Sequence, residues 1–229
     1  MKKERQLSVF YRQKVGDPFV SFFFHYNLSS EERAGVLCPK ANFGESCAVC
    51  EIVSKLFSDG TEDSKKLAKD LMKKQRFFTP VLVREKESEG PKVWSYSKTV
   101  YEFLLKSMLD PENGDITDLK SGTDIDLEYG KKQGKMFADT TPTLKRKTSP
   151  VSKEMDEKEV KEFLNRIPDL NKLFKTTSSA EIKQMLNIFL NPKEEATASD
   201  SNGTEESNDN EQTEQSAVDK ALDELSVGN

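Results

Sequence analysis

His25-Tyr-Asn-Leu-Ser-Ser-Glu-Glu-Arg-Ala-Gly-Val-Leu-Cys38-Pro-Lys-Ala-Asn-Phe-Gly-Glu-Ser-Cys47-Ala-Val-Cys50 holds the one histidine and all three cysteines of a 229-residue chain. Twelve residues separate His25 from Cys38, eight separate Cys38 from Cys47, and two separate Cys47 from Cys50. A chain that spends its soft ligands inside one window of 26 residues is building one site with them. Four nitrogen and sulfur donors complete a closed tetrahedral zinc site, and a Cys-x-x-Cys pair supplies its usual chelating corner. A disulfide would leave one cysteine over and would require an oxidising compartment that nothing else in the chain indicates. Buried thiols beside an unrelated histidine are the plainer alternative. A catalytic zinc keeps a position open for water. The deaminase pattern of His/Cys/Cys ligands needs a glutamate two residues after the histidine and a proline before the cysteine pair. Asn27 and Ser46 stand at those places. The expectation is one structural zinc held by His25, Cys38, Cys47 and Cys50.

Working outward, Phe19 to Phe24 reads as an aromatic-rich buried strand that delivers His25. Asn27 to Asn42 reads as loop, apart from Val36-Leu37. Cys47 to Phe57 (CAVCEIVSKLF) has apolar residues at helical spacing, which places Cys50 at a helix start. Asp63 to Lys74 is a basic helix. Arg76 to Arg84 (RFFTPVLVR) is strand-like, with Pro80 arguing for an edge position or a bulge. A charged turn over Glu85 to Gly90 leads to Lys92 to Tyr96 (KVWSY), which pairs back as a hairpin. Thr99 to Leu109 is an amphipathic helix, and Asp124 to Tyr129 alternates as a strand. A basic turn follows, a strand resumes at Lys135 to Ala138, and the Thr/Pro-rich stretch from Thr140 to Pro150 ends the β region. Helical spacing then returns over Lys153 to Ile167, Asp169 to Phe174 and Ser178 to Leu190, with Ser178 and Glu181 as a capping box.

Charge divides the chain. From Glu194 onward there are eleven Asp/Glu against Lys220, a balance of −10, while the preceding residues hold 34 basic and 29 acidic residues, a balance of +5. A basic body with an acidic tail fits a nucleic-acid binder with a masking or interaction tail. The tail, 193–229, has too few apolar residues to offset its ordering entropy and is expected to be disordered. Val218, Leu222 and Leu225, spaced four and three apart, form a short amphipathic stretch suited to partner docking. No apolar run is long enough to span a bilayer, and Met1-Lys2-Lys3 lacks the features of a signal peptide.

Cations and rings interleave through the body. Lys73, Lys74 and Arg76 precede Phe77 and Phe78; Lys92 precedes Trp94 and Tyr96; Lys98 precedes Tyr101; Lys131, Lys132 and Lys135 precede Phe137. Single-strand binders join a cationic groove for phosphates to aromatic platforms for bases. In a strand Phe77 and Phe78 face opposite sides, so they cannot both be core or both be platform, whereas Trp94 and Tyr96 share a face. Lys145, Arg146 and Lys147, followed by Thr148 and Ser149, form the densest cationic cluster. It suits phosphate contacts or the landing of the acidic tail.

His-x12-Cys followed by Cys-x2-Cys, then KKQRFFTPVLV, PKVWSY, helices and an acidic tail, resembles the T-even-type phage single-stranded DNA-binding (helix-destabilising) proteins of replication, recombination and repair. The resemblance covers about residues 17–190. It implies an α+β fold with an OB-fold-like β-barrel core, an inserted zinc subdomain at about 25–57, C-terminal helices at about 153–190 and the acidic tail beyond residue 192. It places Phe77, Phe78, Tyr96 and Phe137 in or beside the DNA groove and Lys73, Lys74 and Arg76 on its basic approach. It gives the tail a role in binding replication and recombination proteins and in restraining access to the groove. The family's N-terminal basic arm carries a Lys-Arg-Lys-Ser-Thr-like motif for self-association along DNA. Here Met1 to Arg5 (MKKER) stands in its place, and KRKTS lies at 145–149. The expected function is sequence-tolerant, non-enzymatic coating of single strands inside the host cytoplasm. A Ser/His/Asp triad is excluded once the one histidine is a metal ligand, and no phosphate-binding Gly-rich loop is present. An RNA-binding translational regulator and a zinc-stabilised adaptor are the alternatives.

Overall fold

Seven consecutive buried residues, Phe77 to Val83, run through strand β4 (Lys74–Val83) and set the architecture around it. In this computed structural model, which describes residues 4–10 (backbone), 18–28, 35–131, 138–151 and 156–190, the chain forms two compact units. One comprises Met1–Ser21 and Gln75–Leu173; the other comprises Phe22–Lys74 and the chain from Phe174 onward. The divisions fall inside β2 (Val20–His25) and at the start of β4.

In the first unit β1 (Glu4–Phe10), β4, β5 (Lys92–Tyr96), β6 (Thr123–Gly130) and β7 (Asp139–Thr148) form an antiparallel sheet in the order β5-β4-β1-β6-β7. The sheet curls into an OB-like half-barrel within a mixed α+β fold. Residues at even spacing share a face, so Phe77 and Val81 point together and meet Tyr96 of β5, Ile125 and Leu127 of β6, and Val100 and Leu104 of helix α4 (Lys98–Leu109). Leu82 points the other way and packs with Val151 and with Phe163 and Ile167, on and just beyond helix α5 (Glu157–Asn165). Each fully buried Leu, Ile or Phe contributes about 1.5–3 kcal/mol. Phe77 and Phe78 are both buried, which corrects the alternation reading that they could not both be core.

Pro80 also departs from expectation. Val81 is in register with both Phe10 of β1 and Lys92 of β5, so β4 is internal there. The described β1 register covers Val81 to Val83, and on the other side Pro80 is in register with Val93 of β5. The Thr/Pro-rich stretch from residue 140 does not end the β region. It forms most of β7, whose register with β6 places Pro142 opposite Leu127 and Leu144 opposite Ile125. In the described sheet of this unit β7 is the terminal strand, where proline is tolerated.

Arg84, just past β4, ties three segments together. Its guanidinium donates to both carboxylate oxygens of Asp124 (2.9 and 3.0 Å), to Glu87 (3.1 Å), to Ser149 Oγ (3.0 Å) and to the carbonyls of Pro150 (2.6 Å) and Val151 (2.7 Å). Burial works against its charge, but Asp124 and Glu87 outweigh burial and hold its pKa above the ordinary arginine value. Gly122 closes the same corner. A Cβ there would lie 2.4 Å from the Asp118 carbonyl oxygen, so this turn has room for glycine alone.

Among the described residues, the second unit has a ladder of β2 and β3 (Val36–Leu37) and the helices α1 (Pro39–Phe43), α2 (Ala48–Asp59), α3 (Glu62–Leu71) and α6 (Ser179–Leu190). Val49, Ile52 and Leu56 of α2, Ala68 and Leu71 of α3, and Ile182, Leu186 and Leu190 of α6 share one core. Gly60 at φ +76° ends α2, and Thr61 Oγ1 caps α3 by accepting from Ser64 N–H. The Ser178–Glu181 capping box forms in both directions: Glu181 N–H donates to Ser178 Oγ, and Ser178 N–H donates to the Glu181 carboxylate.

Helix boundaries shift where local pattern overreached. The stretch expected as loop to Asn42 contains α1, α3 stops at Leu71, and α5 begins after the Asp156 cap. Asp169 to Phe174 holds one 3-10 turn, Leu170–Lys172, and the charged turn after β4 is a 3-10 segment, Arg84–Glu89. The strand expected at Lys135 to Ala138 falls almost wholly outside the described residues, as does the tail from residue 191.

Candidate metal centre and nucleic-acid surface

The four soft donors converge. The ligand atoms of His25, Cys38, Cys47 and Cys50 all lie within 4.8 Å of one another. His25, Cys38 and Cys47 are fully buried, and Cys50 is half-buried. Three elements deliver them: β2 ends on His25, Cys38 is the N-cap of α1, and Cys47 is the N-cap of α2 with Cys50 in its first turn. Helix N-termini favour thiolate over thiol because their free N–H groups carry partial positive charge. Ala41 N–H points at Cys38 Sγ, 3.4 Å away.

The spacings suit a tetrahedron. Cys47 and Cys50 Sγ each lie 3.5 Å from His25 Nε2, and Cys38 Sγ lies 3.5 Å from Cys50 Sγ. Ordinary Zn–S and Zn–N bond lengths give N···S edges of about 3.5 Å and S···S edges of about 3.8 Å. A disulfide would bring sulfurs to about 2 Å. The ring is also oriented as a ligand should be: His25 Nδ1–H donates to the Leu71 carbonyl at 2.8 Å, and Nε2 faces the sulfurs.

Crowding splits the acidities. The neighbouring thiols of Cys47 and Cys50 hold Cys38 down, and those of Cys38 and Cys47 push Cys50 up. For His25, burial disfavours the charged form, but contacts with Cys38, Cys47 and the Leu71 carbonyl lift its pKa to about 9. A divalent cation taking up all four donors would relieve that competition, so this donor set fits a metal ion.

In the first unit, five rings form a chain of contacts. Trp94 lies 4.6 Å from Tyr96, Tyr96 stacks 6.2 Å from Phe77, Phe77 stacks 4.1 Å from Tyr101, and Tyr101 meets Phe19 edge-on at 5.3 Å. Trp94 and Tyr96 do share a face, as their register with Thr79 and Phe77 requires. That face is the core face. Phe77 and Phe78 are each 6% exposed and Tyr96 is 3% exposed, so none of the three is an open stacking platform here. Phe77 and Tyr96 pack against Val100 and Leu104 of α4 and Ile125 and Leu127 of β6. Ring surface remains on Trp94 and Tyr101, which are half-buried.

The cations are arranged unevenly. Arg76 is half-exposed and donates to Ser95 Oγ (3.2 Å) across the β4–β5 hairpin. Lys92 and Lys98 flank Trp94 on the chain and are exposed, Lys92 pairing with Glu89 (2.9 Å) and Lys98 with Glu102 (3.6 Å). Lys73, Lys74 and Lys131 are exposed. Lys145, Arg146 and Lys147 occupy an irregularity in the β6–β7 ladder: three residues of β7 stand where β6 has Asp124 alone. Such bulges re-aim side chains. Arg146 and Lys147 project into solvent, and Lys145 reaches Asp126 at 3.6 Å. Lys132, Phe137, Val218, Leu222 and Leu225 lie outside the described residues.

Sequence reading missed the Leu71 carbonyl, which accepts from His25, and Asn42, whose side chain bonds the backbone of Phe23 and Cys38. No local signal marked Asn42, because the stretch reads as loop, where asparagine is ordinary.

No described helix is long and apolar enough to cross a membrane. No curated protein matches the chain. A family model described as gp32 DNA binding protein like matches residues 5–191, which takes in both units and every donor of the metal cluster. The chain therefore belongs to this T4-type family of single-stranded DNA-binding proteins.

Proposed function

We propose that this chain coats exposed single-stranded DNA without reading its sequence, in phage DNA replication, recombination and repair within the host cytoplasm. The family match over residues 5–191 carries the reading. Stacking of bases on aromatic rings is worth about 1–3 kcal/mol per base and tolerates any sequence. Trp94 and Tyr101 are half-exposed rings suited to it, in contact with Tyr96 and Phe77. Lys73, Lys74, Arg76, Lys92, Lys98, Lys131 and the Lys145-Arg146-Lys147 bulge supply phosphate contacts, which position the strand but carry no base discrimination. Phe78 supports the same sheet from within. Lys132 and Phe137 are assigned to DNA binding by their basic-aromatic sequence pattern alone.

His25, Cys38, Cys47 and Cys50 hold one structural zinc, whose part is to fix the fold of the second unit. The acidic tail recruits replication and recombination proteins through Val218, Leu222 and Leu225 and competes with DNA for the cationic surface.

Salt titrations with an oligo-dT strand test the electrostatic half of this account. Single-strand affinity falls with a log–log slope of about −0.7 per phosphate neutralised, so replacing Lys145, Arg146 and Lys147 together with alanine is expected to flatten the slope by about 2. Removing 194–229 is expected to tighten binding in the same titrations. An unchanged slope would remove the bulge from the surface, and unchanged affinity after truncation would end the competition idea.

A further inference from the structure

Asn42 sits inside α1, where its side chain makes three hydrogen bonds to backbone rather than facing water. Its Oδ1 accepts from Phe23 N–H at 3.0 Å, and its Nδ2 donates to the Phe23 carbonyl at 2.8 Å and to the Cys38 carbonyl at 2.9 Å. The Phe23 carbonyl also accepts from Cys38 N–H at 2.9 Å. One amide thus closes a ring of bonds between the backbone two residues before His25 and the backbone of Cys38 itself. The ladder that otherwise joins these segments has two registered pairs, Phe24 with Leu37 and His25 with Val36.

We propose that Asn42 is the positioning residue of the metal centre, setting His25 and Cys38 at ligand distance before the ion arrives. The chemistry requires an amide: the site takes one acceptor and two donor contacts, so a carboxylate fails on the donors and alanine fails on all three. Neither metal ligand is touched by the change, and asparagine is a poor helix former, so helix propensity does not account for its presence. The inference rests on the zinc reading of the four donors.

The test uses the full chain loaded with zinc or cobalt(II). Metal transfer to a chromogenic chelator is followed in the parent, Asn42→Ala, Asn42→Asp and, as an exposed control on the same helix, Lys40→Ala. Groups that orient metal ligands typically control affinity by 10–100-fold, so both Asn42 variants are expected to release metal at least about tenfold faster, with Lys40→Ala like the parent. The cobalt d–d bands should shift in the Asn42 variants. Should Asn42→Ala fail to fold with excess zinc, Asn42→Ser, which keeps one hydroxyl beside Phe23, decides by the same readouts. A lower denaturation midpoint with parent-like release rate and cobalt spectrum would overturn the proposal, since that is what a merely structural asparagine gives. A parent protein that binds no metal would overturn the zinc reading and this inference together.

Discussion

Chelation of the purified protein is expected to release one zinc per chain and to unfold the second unit while the first stays folded. Cys38 and Cys47 lie in the same core as Val49, Ile52, Leu56, Ala68, Leu71, Ile182, Leu186 and Leu190, so the cluster is part of the packing. Without the ion, three thiols and an imidazole must share protons within 4.8 Å of one another. Structural zinc contributes roughly 10–16 kcal/mol of apparent binding free energy at neutral pH, more than a unit of this size has to spare. Loss should begin around residues 25–57 and spread to α3 and α6 through the shared core. Far-UV circular dichroism should lose helix, while the near-UV signal of Trp94, packed in the other core, persists. Protons compete for the same donors, so zinc affinity should fall as pH falls. Helix content indifferent to chelation, or purified protein without stoichiometric metal, would contradict this.

Arg84→Ala is expected to be the most damaging single substitution in the first unit. The Arg84 side chain is 14% exposed and that of Asp124 is 11% exposed, so the pair is largely desolvated. Deleting one partner leaves a buried carboxylate uncompensated and removes the donors to the Pro150 and Val151 carbonyls. Breaking such a pair costs about 3–5 kcal/mol. For a unit of this size the thermal midpoint should drop on the order of 10 °C. Arg84→Lys should recover a minor part, because one ammonium cannot span both Asp124 oxygens and the two carbonyls. Urea denaturation monitored at Trp94 measures it, and a loss below about 1 kcal/mol, the size of an exposed pair, would contradict the assignment.

These effects divide by how visible their causes were in the chain. His25 to Cys50 was legible because rarity and spacing carry ligand chemistry without tertiary information. The β4–β5 hairpin and the Ser178 cap were legible for a related reason: their partners are local in sequence. β7 was not, since Thr-Pro-Thr-Leu-Lys-Arg-Lys has weak strand character and gains it from pairing with β6. Nor was the cover over Leu82 of β4, which comes from Val151, Phe163 and Ile167, 69 to 85 residues downstream. Phe77 and Tyr96, read as platforms, are core because Val100 and Leu104 of α4 and Ile125 and Leu127 of β6 pack on them. Asn42 was hidden because its role exists only once Phe23 and Cys38 are adjacent.

Trp94 is the one tryptophan of the chain and is half-buried beside Tyr96, which makes it a clean reporter of base stacking. Its fluorescence, titrated with poly-dT, a matched RNA and duplex DNA at fixed low salt, tests the central claim directly. Saturable quenching is expected with poly-dT, weakening steeply as salt rises, with far less response to duplex. Equal binding to duplex, a preference for RNA, or no response to single-stranded DNA would contradict it.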